Sequence, residues 1–137
     1  MPQKPSDAAR HRPSLAAELL VITLGGALGG LARYGLDEIA PTASGSFPWT
    51  TLVINVFGSA ALAALLAAGV RVWRHPLDVL FVGTGLLGGF TTFSTYAVQS
   101  DRLLAGGHAG VGLTYLLVTV VRGRCCSCRA YTGAAGR

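Results

Sequence analysis

The stretch Gly83–Tyr96 reads GTGLLGGFTTFSTY and gathers most of the chain's capacity for chemistry. Four glycines loosen the backbone, and Thr91, Thr92, Ser94 and Thr95 carry hydroxyls that compete for backbone hydrogen bonds. This makes a poor uninterrupted helix, and a break is expected near Gly88–Thr92. Inside a bilayer, the carbonyl oxygens that a break releases must be satisfied by protein or by an ion. Such oxygens suit a bare alkali cation, and broken membrane helices hold Na⁺ in this way. Beyond the break, Phe93 and Tyr96 lie three residues apart on one helix face. Aromatic ring edges are electropositive and suit a partly dehydrated anion, although two aromatics at this spacing also simply pack together.

A second polar set recurs every four residues. Thr51, Asn55 and Ser59 share one face of a largely apolar helix. An amide at the depth of Asn55 needs partners. It either ties two helices together or belongs to a track where an anion exchanges water for amide and hydroxyl donors. Upstream, Gly25, Gly26, Gly29 and Gly30 form two overlapping G-x-x-x-G pairs, the spacing that lets two membrane helices approach closely. Arg33 follows, placed either to snorkel to the interface or to give an anion a positive entrance.

These residues need membrane helices to position them. Of the 137 residues, 51% are hydrophobic and only 12% charged, about half the charge of an ordinary soluble domain. The apolar residues form four runs, approximately 15–36, 49–70, 77–99 and 108–121. The first three are long enough to cross about 30 Å of hydrocarbon, while the fourth is short. Three domains of organisation follow: a disordered segment over 1–14, a four-span unit over 15–121, and an atypical Cys/Arg-rich tail over 122–137. The tail, RGRCCSCRAYTGAAGR, lacks apolar periodicity and reads as an unrelated stretch joined to an interrupted helix. Its cysteines, Cys125, Cys126 and Cys128, have no second pair and no nearby His, so no zinc site or disulfide framework follows. The first run exceeds a signal-peptide core and is expected to be retained.

The net charge of +5 does not indicate nucleic acid, because the cations flank the apolar runs. Lys4, Arg10, Arg12, Arg71 and Arg74 fall on one side of a four-span topology, against Arg33 and Arg102 on the other. This bias places both termini in the cytoplasm.

Three motifs together resemble the Fluc/CrcB fluoride-channel family. They are G-G-x-x-G-x-x-x-R-Y over Gly25–Tyr34, W-x-T-L-x-x-N-x-x-G-S over Trp49–Ser59, and G-G-F-T-T-F-S-T-Y over Gly88–Tyr96. The likeness covers roughly residues 19–121, and the third motif is the most specific. The resemblance implies an all-α membrane protein of four transmembrane helices, with the third broken mid-membrane, paired as an antiparallel dimer. It implies two fluoride pores and one structural Na⁺ at the dimer centre, held by the carbonyls of Gly88 and Thr91. Phe93 and Tyr96 would face the pore and Asn55 would be its amide. Ser94, Thr95, Tyr115 and Thr119 would extend the polar track, with Arg33 near the vestibule. The family usually has Phe where this chain has Tyr96.

The implied function is passive, fluoride-specific export across the plasma membrane, which lowers fluoride toxicity, and no enzymatic activity. Fluoride holds its hydration shell tightly, so several modest donors suit it better than one strong cationic trap. No Lys, Asp or Glu lies in the middle of a span, which speaks against proton-coupled pumping. A small dual-topology drug exporter is the alternative, but its only carboxylate would be Glu18 in the first turn of span one. A purely structural membrane subunit leaves GGFTTFSTY without a reason. An intramembrane hydrolase would need a base for Ser94, and His11, His75 and His108 all lie outside the spans or at their edges. The charge bias favours one insertion orientation, so a paralogous subunit of opposite topology is an expected partner besides a second copy.

Overall fold

The computed structural model describes residues 13–69, 73 and 75–136. The cations Lys4, Arg10, Arg12, Arg71 and Arg74 therefore lie outside the described residues, as does most of the segment expected to be disordered. Ser14, assigned to that segment, instead caps the first helix: its hydroxyl accepts from the Ala17 amide at 3.3 Å.

The described residues are helical, with four helical stretches long and apolar enough to cross a membrane. α1 (Leu15–Ile39) and α2 (Trp49–Ala68) are the first two. The third stretch is composite. α3 (Pro76–Val79) begins with a reciprocal cap, in which His75 accepts from Leu77 N–H while Asp78 accepts from His75 N–H. A π-helical segment, Leu80–Leu87, continues it, then α4 (Gly88–Phe90), an extended break at Thr91–Thr92, and α5 (Phe93–Ala105). α6 (Ala109–Ala135) is the fourth.

Glycine explains how α1 meets the third stretch. A Cβ at Gly25 would collide with the Phe81 carbonyl, one at Gly29 with the Leu86 carbonyl, and one at Gly89 with the Gly26 carbonyl. The two backbones are therefore in direct contact, as the G-x-x-x-G spacing predicts for these two residues. Gly30 has nothing within 4 Å and takes no part. The wide π turn falls in the same glycine-rich region, where the Gly88 amide donates back to the Gly83 carbonyl.

α2 and α6 run side by side in the same direction, and α5 packs on α6. Tyr115 is fully buried between them, with Leu52 and Leu103 completing the small core. Leu20, Leu24, Leu28 and Leu31 of α1 stand exposed, as lipid-facing residues do.

Span four differs from expectation. Its helix does not end near Val121 but continues unbroken through the Cys/Arg-rich segment to Ala135. Apolar periodicity reports a buried face, not helicity as such. Once a helix is nucleated, Arg, Ala and Cys without an intervening Pro continue it at little cost.

Candidate ion pathway at the broken third span

The interruption lies at Thr91 (ψ 153°) and Thr92 (φ −144°, ψ 125°), within the window read from the sequence. Asn55 of α2 holds it open. Its Nδ2 donates to the Thr92 carbonyl at 2.8 Å, and its Oδ1 accepts from the Thr92 amide at 2.8 Å. The Asn55 side chain thus replaces both backbone partners that Thr92 would have in a helix. Of the two roles open to this amide, the helix-to-helix tie is the one the geometry realises, with one Nδ2 hydrogen left over.

Thr92 then restarts the helix. Its hydroxyl accepts from the Thr95 amide at 3.1 Å as the N-cap of α5, and lies 3.2 Å from the Ser94 hydroxyl. These diversions free particular oxygens. In an unbroken helix the Thr92 amide would answer the Gly88 carbonyl, and the Thr95 amide would answer that of Thr91. Both amides bond elsewhere, so the Gly88 and Thr91 carbonyls lose their helical donors. The Thr91 hydroxyl is meanwhile occupied by the Leu87 carbonyl at 3.0 Å.

Arg33 reaches the same region instead of snorkelling away from it. Its Nη1 donates to the Thr95 hydroxyl at 3.4 Å, and its buried Nε has no partner among the described residues. The Thr95 oxygen also accepts from Thr92 at 3.1 Å. With two hydrogen bonds accepted, the Thr95 hydroxyl keeps its own hydrogen for a third group.

An open groove of about 280 Å³ begins at the break, lined by Asn55, Ser59, Thr91, Thr92, Phe93, Tyr96 and Thr119 among others. Phe93 and Tyr96 flank it with ring centroids 5.8 Å apart and planes tilted by 47°. Phe93 stands 80% exposed, out from the subunit. Tyr96 turns inward, and its hydroxyl donates to the Leu116 carbonyl of α6 at 3.2 Å. The hydroxyl that distinguishes Tyr from Phe here is therefore spent on the backbone and anchors the ring. The Thr119 hydroxyl is buried without a partner and is free for the groove.

Tyr115 does not line the groove. It lies behind Tyr96, ring centroids 5.2 Å apart, and donates to Gln99 Oε1 at 3.0 Å. Ser94 is exposed and joins the Thr92 hydroxyl. Thr92 and Ser59, read in the sequence as members of the two hydroxyl-bearing sets, line the groove, and Gln99, which nothing in the sequence singled out, completes the constellation by accepting from Tyr115. The T-x-x-T spacing of Thr92 and Thr95 at a helix restart was the available signal for Thr92. No carboxylate or lysine lines the groove, and no cluster of three His, Cys, Asp or Glu occurs among the described residues.

Four membrane-length helices and a hydroxyl- and amide-lined break define a multi-pass membrane protein with the makings of an ion pathway. The family described as CrcB-like protein, Camphor Resistance (CrcB), matches residues 20–133, and this chain belongs to it. It is 47% identical over 106 residues to a protein of Streptomyces avermitilis named fluoride-specific ion channel FluC 2, covering 77% of this chain and 67% of that one. It is 45% identical over 117 residues to the Nocardia farcinica protein of the same name, covering 85% and 84%. The Thermus thermophilus fluoride-specific ion channel FluC is 41% identical over 97 residues, covering 70% and 78%.

Proposed function

We propose that this protein is a fluoride-specific ion channel that lets cytoplasmic fluoride leave passively across the plasma membrane. One observation carries the proposal: Asn55 clamps a mid-membrane break beside a groove of neutral donors and ring edges. A bare fluoride ion needs its lost water replaced at several points, none so strong that it becomes a trap. The spare Nδ2 hydrogen of Asn55, the Thr119 hydroxyl and the edges of Phe93 and Tyr96 are such points in the groove, and the Thr95 hydroxyl, held by Arg33 and Thr92, offers one more beside it. Ser94 and Tyr115 act one step back, Ser94 on the Thr92 cap and Tyr115 behind Tyr96. Arg33 supplies the positive field that favours an anion at this end.

A structural Na⁺ fits the break. The Gly88 and Thr91 carbonyls are hard oxygen donors without helical partners, which is how interrupted membrane helices hold alkali cations. When bound, the ion supplies fixed positive charge near the anion route, and the chain's own residues hold the break in place.

A second subunit completes the pathway. Phe93 projects from the subunit surface and leaves one side of the groove open, so an antiparallel partner would wall it. Homodimer and heterodimer with a paralogous subunit both satisfy this. The cation bias favours a fixed orientation with cytoplasmic termini, and Streptomyces avermitilis carries proteins named FluC 2 and FluC 3, both similar to this chain. A tagged chain inserting both ways in comparable amounts would favour self-pairing.

The drug-exporter alternative loses further ground, because Glu18 sits in the first turn of α1, at the membrane edge. The decisive experiment loads proteoliposomes with fluoride or chloride and follows efflux under a permeant counter-ion. Fluoride is expected to leave while chloride stays. Retention of both, or equal loss of both, rejects the proposal.

A further inference from the structure

The second half of α6 carries three free thiols that the ion pathway does not use. In a continuous helix, Cys125 and Cys128 are separated by about 60° around the axis and about 4.5 Å along it, so they share a face. Their Cβ atoms lie about 5–6 Å apart, close enough for the two sulfurs to converge on one atom. Cys126 is turned about 100° away from Cys125 and lines a different feature, an apolar groove of about 450 Å³ shared with Val56, Phe57 and Arg122. Cys125 and Cys128 are exposed.

Depth selects the ligand. Gly123 lines the same groove as Asn55 and Ser59, and Cys126 the same groove as Val56 and Phe57. The thiols are therefore level with α2 and not beyond its end at Ala68. A divalent cation would find there two sulfur ligands alone, with no carboxylate anywhere on α6 and with Arg122, Arg124 and Arg129 on the same turns to repel it. A neutral thiophilic centre that swaps an oxygen for two sulfurs meets no such repulsion.

We propose that Cys125 and Cys128 form a dithiol site for trivalent arsenic. The exchange is balanced: an organoarsenic(III) oxide, R–As=O, and two thiols give R–As(S–Cys)₂ and one water. Two As–S bonds form, the As=O bond is replaced, and both thiol protons leave on the oxygen. Nothing is oxidised or reduced. Thiolate softness supplies the preference.

The test uses the full chain in liposomes, reduced beforehand and treated with phenylarsine oxide, then measured by intact mass spectrometry. One arsenical is expected per chain, resistant to a monothiol wash and released by a dithiol. Cys126→Ser is expected to keep it, whereas Cys125→Ser and Cys128→Ser each lose it. Maleimide labelling of each variant counts its remaining thiols and shows that the protein is intact. Loss in Cys126→Ser, retention in either of the other variants, or no adduct on the parent chain overturns the proposal.

Discussion

The two halves of the third stretch are held by opposite means. Before the break, the π segment and α4 meet α1 backbone to backbone, through Gly25, Gly29 and Gly89, with side chains excluded from the contact. After it, α5 is held by directed hydrogen bonds, donated by Asn55 to its cap residue Thr92, by Arg33 to Thr95, and by its own Tyr96 to the carbonyl of Leu116. Close packing of backbone on backbone gives the first half a fixed position against which the break is measured. Hydrogen bonding gives the second half donors that point into a groove. A pathway for an ion needs both, a rigid wall and an adjustable lining.

That contrast breaks most severely on the packed side. Gly29→Ala drives a methyl into the Leu86 carbonyl, which cannot move without displacing its helix. Overpacking of this kind costs about 1–3 kcal/mol or more, so little monodisperse protein is expected in detergent. Gly30→Ala, with open space around it, is the matched control and is expected to be recovered at parent yield.

On the hydrogen-bonded side the effects are graded. Thr92→Val removes the cap of α5 and the donor to Thr95, at about 1 kcal/mol for the cap. The protein is expected to fold, with a lowered unfolding temperature and slower fluoride efflux. Tyr96→Phe is smaller still: it forfeits the 3.2 Å bond to Leu116, worth about 1 kcal/mol or less, and keeps the ring. Efflux close to the parent rate is expected, with a small loss of thermal stability. A large flux defect in Tyr96→Phe would mean that the hydroxyl faces the ion and not the α6 backbone.

Much of this was legible in the residues. Gly88–Thr92 announced a break because glycine and adjacent hydroxyls disfavour a continuous helix, and the break fell at Thr91–Thr92. Asn55 announced a need for partners because an amide at that depth cannot go unpaired. Which backbone group it would take was not legible, since it depends on the register of α2 against the third stretch. The glycine pairs divided unevenly, with Gly25 and Gly29 buried in the contact and Gly30 outside it, because only a helix's rotation decides which face is covered. Tyr115, expected on the polar track, proved to be core behind Tyr96 for the same reason. The length of α6 was missed because a helix without an apolar stripe leaves no periodic trace.

The most direct test of the central claim removes the clamp itself. Asn55→Ala leaves the Thr92 amide and carbonyl unpaired in the membrane, at about 1–3 kcal/mol for each group, and deletes a donor from the groove. Fluoride efflux from proteoliposomes, normalised to the amount of folded protein inserted, is expected to fall at least tenfold below the parent chain. Efflux at the parent rate in a properly inserted Asn55→Ala protein would contradict the claim that ions pass beside this break.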